Sequence, residues 1–461
     1  MAATDDPAEL TSEQADATLS SRPFVVMLVL VAVIGVVISL AAWCFLEGIY
    51  QLQQELYVHL PHAVGYSNGP PKWWPLPVLA IGALLVALAI TRLPGNGGHI
   101  PANGLAAGDP PRPKMLPGVL LAGFLTIGSG LVLGPEAPLI ALGSGGALLM
   151  ISLARRDTPP QALMIITAAG SFAAVSFIFA SPLIAAVLMI EIAAIGGPRL
   201  RFVLVPGLLA AGIGSLVSLG MGSFSGLSSS HYALGTLPLT TAHRPDIGEF
   251  GWTIALAIAI AAVTTVVMRG GRFTHSFVSR RKQLLLLPLI GLIIAGLAIA
   301  FSQITGKSFN QVLFSGQDQL PGLVSNASTW SVAALTWLLV FKGIAYSLSL
   351  GSYRGGPTFP ALFLGAAAGI MASHLPGFPI QVGIAVGMGA GFVAVLRLPL
   401  SAVVIATVLT TKAGANVEPL IIVGVVVSYL VTLLLGRLKA PAEESAPAPA
   451  TAAEPATTAS S

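Results

Sequence analysis

The sequence carries one Gly-Pro-x-x-Pro frame twice, and that repetition limits what the chain can fold into. Gly134-Pro135-Glu136-Ala137-Pro138 and Gly356-Pro357-Thr358-Phe359-Pro360 lie 222 residues apart, and the match continues through Leu142/Leu364 and Gly143/Gly365. A second landmark follows each copy: Pro182-Leu183 comes 44 residues after Pro138, and Pro399-Leu400 comes 39 after Pro360. The chain is therefore an internal duplication. Duplicated halves with Gly/Pro-interrupted hydrophobic segments mark membrane folds whose broken helices meet near the bilayer midplane.

Composition sets the solvent. Of 461 residues, 55% are hydrophobic and 9% charged, against about 25% charged in a soluble domain. This is a polytopic protein of the lipid bilayer. Its 51 glycines allow close helix contact. A single cysteine, Cys44, excludes an intrachain disulfide and a cysteine-built metal site, and no cofactor is implied. A net charge of +4, lying mostly in loops, does not point to nucleic acid. The acidic first 22 residues lack a basic n-region and are a polar tail.

Apolar runs fall near 24–46, ended by Glu47, then 76–91, 116–133, 136–154, 161–179, 183–195 and 203–220. After a polar linker, 221–249, they resume near 250–268, 284–302, 329–350, 358–373, 380–396, 399–411 and 419–436. Repeat 1 thus covers 23–220 and repeat 2 covers 250–436, with an Ala/Pro/Glu-rich tail over 437–461. Several runs fall short of the roughly 20 residues of a perpendicular span, which predicts tilted or half-crossing helices. Arg155, Arg156, Arg199, Arg201, Arg269, Arg272, Arg280, Arg281, Lys282, Arg437 and Lys439 lie on one side. Positive residues collect in the cytoplasm, so both termini are expected there.

Glu136 is the residue that needs a reason. A carboxylate at membrane depth costs at least about 2.5 kcal/mol, and this one sits between helix-breaking prolines. The helix that follows begins with unpaired N–H groups and a positive dipole end, which Glu136 is placed to meet. Between residues 115 and 245 the other acids are Asp157, in a loop beside Arg155 and Arg156, and Glu191, at the end of the run after Pro182. Glu191 reads either as a helix-end carboxylate near Arg199 and Arg201 or as a proton station. His99, in the glycine-rich break Leu93–Pro101, reads as an anion ligand or pH sensor, or as a loop histidine facing protein.

These residues resemble the CLC family of chloride channels and chloride/proton antiporters. That family places Gly-Ser-Gly-Ile-Pro, Gly-Lys/Arg-Glu-Gly-Pro and Gly-x-Phe-x-Pro loops at helix starts around an anion. Gly134–Pro138 matches the second loop and puts Glu136 on the gating glutamate. Gly356–Pro360 matches the third in its Gly and Pro, with Phe359 one place late. Gly97-Gly98-His99-Ile100-Pro101 matches the first loosely, with Gly98, or Asn96 across a local insertion, where the anion-coordinating serine would be. The resemblance implies two inverted repeats of broken, tilted helices and a homodimer with one pore per subunit. It implies multi-pass insertion in a bacterial-type plasma membrane. The implied anion-binding set is Gly98, His99, Ile100, Pro101, Gly134, Pro135, Ala137, Gly356, Pro357, Thr358 and Phe359, with chloride or a similar anion as cargo. The family's inner proton glutamate falls on Ile192, next to Glu191, and no tyrosine follows Tyr429 to serve as its intracellular gate.

Two other classes are weaker. An intramembrane hydrolase would use a serine from Gly128-Ser129-Gly130 or Gly143-Ser144-Gly145, but no histidine lies within a neighbouring apolar run except at helix ends. A cation-coupled carrier would want acids in both halves, and Thr358 stands where the second would be.

Overall fold

A computed structural model describes residues 19–105, 109–154, 158–194, 199–226, 233–279 and 282–437. The polar residues 1–18, the tail beyond 437, and Arg155, Arg156, Asp157, Arg280, Arg281 and Lys439 lie outside the described residues.

The first half builds α1 (Arg22–Gln54), α2 (Pro75–Arg92), α3 (Leu116–Gly128), α4 (Glu136–Ala154), α5 (Pro160–Phe179), α6 (Pro182–Ala193) and α7 (Arg199–Ser225). The second builds α8 (Ile247–Ser279), α9 (Gln283–Thr305), the short α10 (Gln319–Ser325), α11 (Val332–Ser352), α12 (Thr358–Ala372), α13 (Ile380–Leu396), α14 (Pro399–Leu409) and α15 (Glu418–Arg437). Nine helical segments among the described residues are long and apolar enough to cross a membrane. The fold is all-α, with two inverted repeats. At 1.5 Å per residue, α6 and α14 reach only about 17–18 Å, little more than half a hydrocarbon core of roughly 30 Å.

The two halves break their helices by the same device. Ala180 and Arg397 each adopt a left-handed conformation (φ 47° and 59°), ending α5 and α13. A proline two residues later opens α6 or α14. The helix contacts recur as well. A Cβ on Gly143 of α4 would meet the Gly170 carbonyl of α5, and one on Gly365 of α12 would meet the Gly387 carbonyl of α13. Such backbone-to-backbone approach is how membrane helices gain van der Waals contact when lipid is as apolar as the interface. Helices α2 and α9, and α6 and α14, tie one half to the other.

Two apolar runs depart from expectation. The first helix does not end at Glu47. It continues to Gln54 and through a π-turn to Ala63, and Glu47 is held within it by Gln51 Nε2, which donates to Oε1 at 2.6 Å while Oε2 is buried without a partner. The run 116–133 stops being helical at Gly128, and Leu131, Val132 and Leu133 continue as buried irregular backbone. Irregular chain is tolerated at membrane depth only when protein satisfies it. Here Thr126 O accepts the Leu131 N–H and Ser349 Oγ accepts that of Val132. The described part of the linker straps both halves, with Leu234 N donating to Ile178 O, and Leu237 N and Ala242 N donating to Leu409 O and Ala413 O.

Candidate functional site

The two repeated loops meet. Gly134 and Gly356 form an antiparallel bridge, each N–H donating to the other's carbonyl at 2.8 and 2.6 Å. Immediately after the bridge α4 begins at Glu136 and α12 at Thr358. Tyr346 Oη, fully buried, donates to Pro357 O at 2.7 Å and fixes the second loop from behind. Phe359 stacks on Phe179 from the end of α5, with centroids 5.4 Å apart, and closes the space beside the bridge.

Glu136 folds back over this junction. Its Oε1 accepts the backbone N–H of Thr358, the first residue of α12, so the helix start it meets belongs to the opposite half. The side chain is fully buried, and its Oε2 and the neighbouring Thr358 hydroxyl are both buried without hydrogen-bond partners. A Cβ on Gly134 or on Gly356 would collide with the carboxyl group. The seat is thus built from a backbone N–H, a helix start and two bare Cα atoms. Such a seat suits any small anion, and Glu136 occupies it.

The first loop behaves differently. Asn96, Gly97 and Gly98 have positive φ, and the loop opens only a three-residue 3-10 turn, Pro101–Asn103. Gly104, at φ 86°, ends that turn, and a proline-rich stretch follows. The expected third α-helix start is absent among the described residues. A Cβ on Gly98 would run into the Val119 side chain of α3, so the position where the family's serine would stand has no room for a side chain as the loop is folded. Ile100 and Pro101 lead into the turn instead of lining the space beside it. His99 Nε2 lies 2.7 Å from Gly104 O, which commits that nitrogen to holding its own loop. Gly97, Gly98 and His99 nonetheless line a cavity of about 280 Å³ with Ala137, Pro138, Ala141, Asp109, Arg354 and Gly355. The cavity adjoins the first turns of α4.

Glu191 is occupied. Its carboxylate accepts Leu400 N at 3.0 Å, Ser401 N at 2.7 Å and Ser401 Oγ at 2.6 Å. It caps α14, whose own N-cap residue, Leu398, offers no side-chain acceptor. In the first half Ser181 does that work for α6. Ser129 Oγ and Ser144 Oγ donate to helix carbonyls, Thr126 O and Ile140 O, and neither is bonded to a histidine.

Two basic side chains complete the interior, and neither stood out from the motifs. Lys342 Nζ, fully buried in α11, lies 2.9–3.3 Å from the carbonyls of Gln311, Val312, Leu313 and Phe314. Arg354, 8% exposed, donates from Nε to Asn96 O at 3.2 Å and from Nη1 to Tyr353 O at 3.1 Å. They are the only Lys or Arg between Lys307 and Arg397. Intramembrane charge is itself a signal, and it was available in the sequence.

Comparison with known proteins decides the family, for the sequence matches the voltage gated chloride channel family over residues 82–433. The chain belongs to that family. Relatives carrying the name ion-transport protein YfeO include one from Escherichia coli O139:H28 (strain E24377A / ETEC), 28% identical over 356 residues, 76% of this chain and 79% of the relative. One from Shigella boydii serotype 4 (strain Sb227) is 29% identical over the same coverage. Among solved structures, a slow cyanobacterial Cl-/H+ antiporter superposes with a TM-score of 0.72 at 20% identity, covering 89% of this chain and 95% of its own. A CLC-type fluoride/proton antiporter gives 0.63 at 18% identity, covering 90% and 97%. These likenesses establish the fold, which is that of CLC transport proteins.

Proposed function

We propose that this chain carries small inorganic anions, chloride foremost, across the bilayer, and that Glu136 is the gate. One observation carries the proposal: a buried carboxylate, joined to the first N–H of α12, sits where a permeating anion would be held. Ionised, Glu136 competes with the anion for that seat. Protonated or swung aside, it yields, so acid favours conduction. Backbone donors hold an anion weakly enough that it can leave. The proposed binding set keeps Gly134, Pro135, Ala137, Gly356, Pro357, Thr358 and Phe359 around the bridge. Gly98 and His99 take a supporting part on the wall of the adjoining cavity, and Ile100 and Pro101, which do not line it, carry the chain from that wall into the turn.

The named structural neighbours exchange chloride or fluoride for protons. A proton route through Glu191 is no part of the proposal, because three donors already employ that carboxylate as a helix cap and Ile192 follows it. A homodimer with one pathway per subunit, both termini cytoplasmic and a bacterial inner-membrane location complete the proposed picture. Purified protein in liposomes under an imposed chloride gradient, with internal pH followed simultaneously, tests it. Anion flux without stoichiometric proton movement is expected; absence of anion flux would refute it.

A further inference from the structure

Arg354 has a charge and no counter-charge. No carboxylate lies within 4.0 Å of it among the described residues, and its two acceptors are neutral carbonyls. A guanidinium has five N–H donors, so most of its hydrogen-bonding capacity is unspent. Arg354 also lines the cavity of about 280 Å³ beside Ala137 and the Gly97–His99 loop. Taking a cation out of water costs several kcal/mol unless a partner of opposite sign compensates. Carbonyls at Asn96 and Tyr353 orient the group without neutralising it. Their effect is to pin the planar fork against the 95–98 loop, where Gly97 leaves room for its stem. The cavity's other ionisable groups are Asp109, which forms no ion pair with Arg354, and His99, tied by one nitrogen to Gly104.

We propose that Arg354 holds a second anion in this cavity, next to the Glu136 seat, and thereby sets the chain's affinity for its cargo. This rests on the anion-transport reading above. The Glu136 seat offers dipoles alone, whereas this position adds a full charge two residues before Gly356. An anion resting there neutralises the guanidinium and waits within reach of the seat. When Glu136 withdraws, the anion has a short path and the cation remains behind as the returning attraction. The group acts on anion binding, so its removal should appear in concentration dependence and leave the turnover limit largely intact.

The experiment compares wild type, Arg354→Gln and Arg354→Lys in liposomes over a range of chloride concentrations, with melting followed in the same buffers. In Arg354→Gln the chloride concentration for half-maximal flux should rise at least tenfold, the maximum should change little, and chloride should no longer raise the melting temperature. Arg354→Lys, which keeps the charge and loses the fork, should recover most of the affinity. A folded Arg354→Gln with wild-type concentration dependence overturns the proposal. Should that variant not fold, Ser144→Asp answers the same question by placing a carboxylate on the cavity wall. It should occupy the guanidinium and weaken chloride binding, and unchanged affinity there counts against Arg354. Wild-type protein that is stabilised by chloride but carries no flux would refute the transport reading while leaving the binding site standing.

Discussion

Glu136 and Thr358 occupy equivalent positions in the two halves of the duplication, and the carboxylate of the first accepts the backbone N–H of the second. The halves therefore differ at the one place where identity would be fatal. Two carboxylates at the bridge would repel at close range in a water-poor setting. With Thr358 as the second member, a single acid stands at the bridge, as the proposed gate requires.

Glu136→Gln should raise chloride flux severalfold and abolish its dependence on external pH. An amide presents the shape of the acid without the charge that competes for the α12 N–H. Flux from liposomes at two external pH values checks this. An unchanged pH response in the mutant would show that the gate lies elsewhere.

Glu191→Ala should cost stability, about 0.5–2 kcal/mol for a lost N-cap, because Leu398 supplies no substitute acceptor at the start of α14. Proton movement during chloride flux should be the same in mutant and wild type. Melting and pH recordings on one preparation separate the two roles. Normal stability with altered proton movement would restore Glu191 as a relay.

The kinship of the two loops was legible in the sequence, because Gly and Pro recur in both halves at fixed spacing and a carboxylate stands between prolines; the bridge between Gly134 and Gly356 was not. The short half-crossing helices were legible for the same reason. What hid was long-range partnership. Nothing local says that Glu191 would cap a helix 209 residues later in sequence, or that Glu136 would choose the α12 start over its own. Leu131–Leu133 look helical because periodicity cannot distinguish buried helix from buried irregular chain. The loop at 95–101 matched a motif whose helix it does not build. Its four-residue run of left-handed backbone from Gly95 to Gly98 depends on Arg354 and Val119, both distant in sequence.

Lys342→Met should destabilise the protein more than any of the other substitutions considered. Removing the ammonium relieves its own desolvation, but it leaves three buried carbonyls and the half-buried one of Gln311 without a donor. Each orphaned group costs about 1–3 kcal/mol, so a net loss of roughly 3 kcal/mol or more is expected. The damage should centre on Phe314, whose N–H binds Gly130 O beside the start of the irregular 129–135 segment. Thermal melting and size-exclusion profile check it. Retention of the wild-type melting point would show that lipid or water can replace the lysine.

Gly356→Val tests what the bridge glycines are for. Packing glycines in this chain are recognisable: Gly365 and Gly387 each face the other's carbonyl across α12 and α13. The nearest atoms to a Cβ on Gly356 all belong to the Glu136 side chain. Bulk at 356 therefore presses first on the Glu136 side chain and on the proposed anion seat. Glu136 is displaced, yet the space it leaves is filled by the new side chain, so eviction of the gate does not open the path. A monodisperse protein with near-normal melting and chloride flux cut at least roughly tenfold is expected, about 1.4 kcal/mol on the barrier. The double variant Glu136→Gln/Gly356→Val should stay equally blocked, because the obstruction no longer depends on the carboxylate. If instead melting and flux fall together in the single variant, or if Glu136→Gln rescues flux in the double, the glycine serves the structure or the gate alone and the seat lies elsewhere.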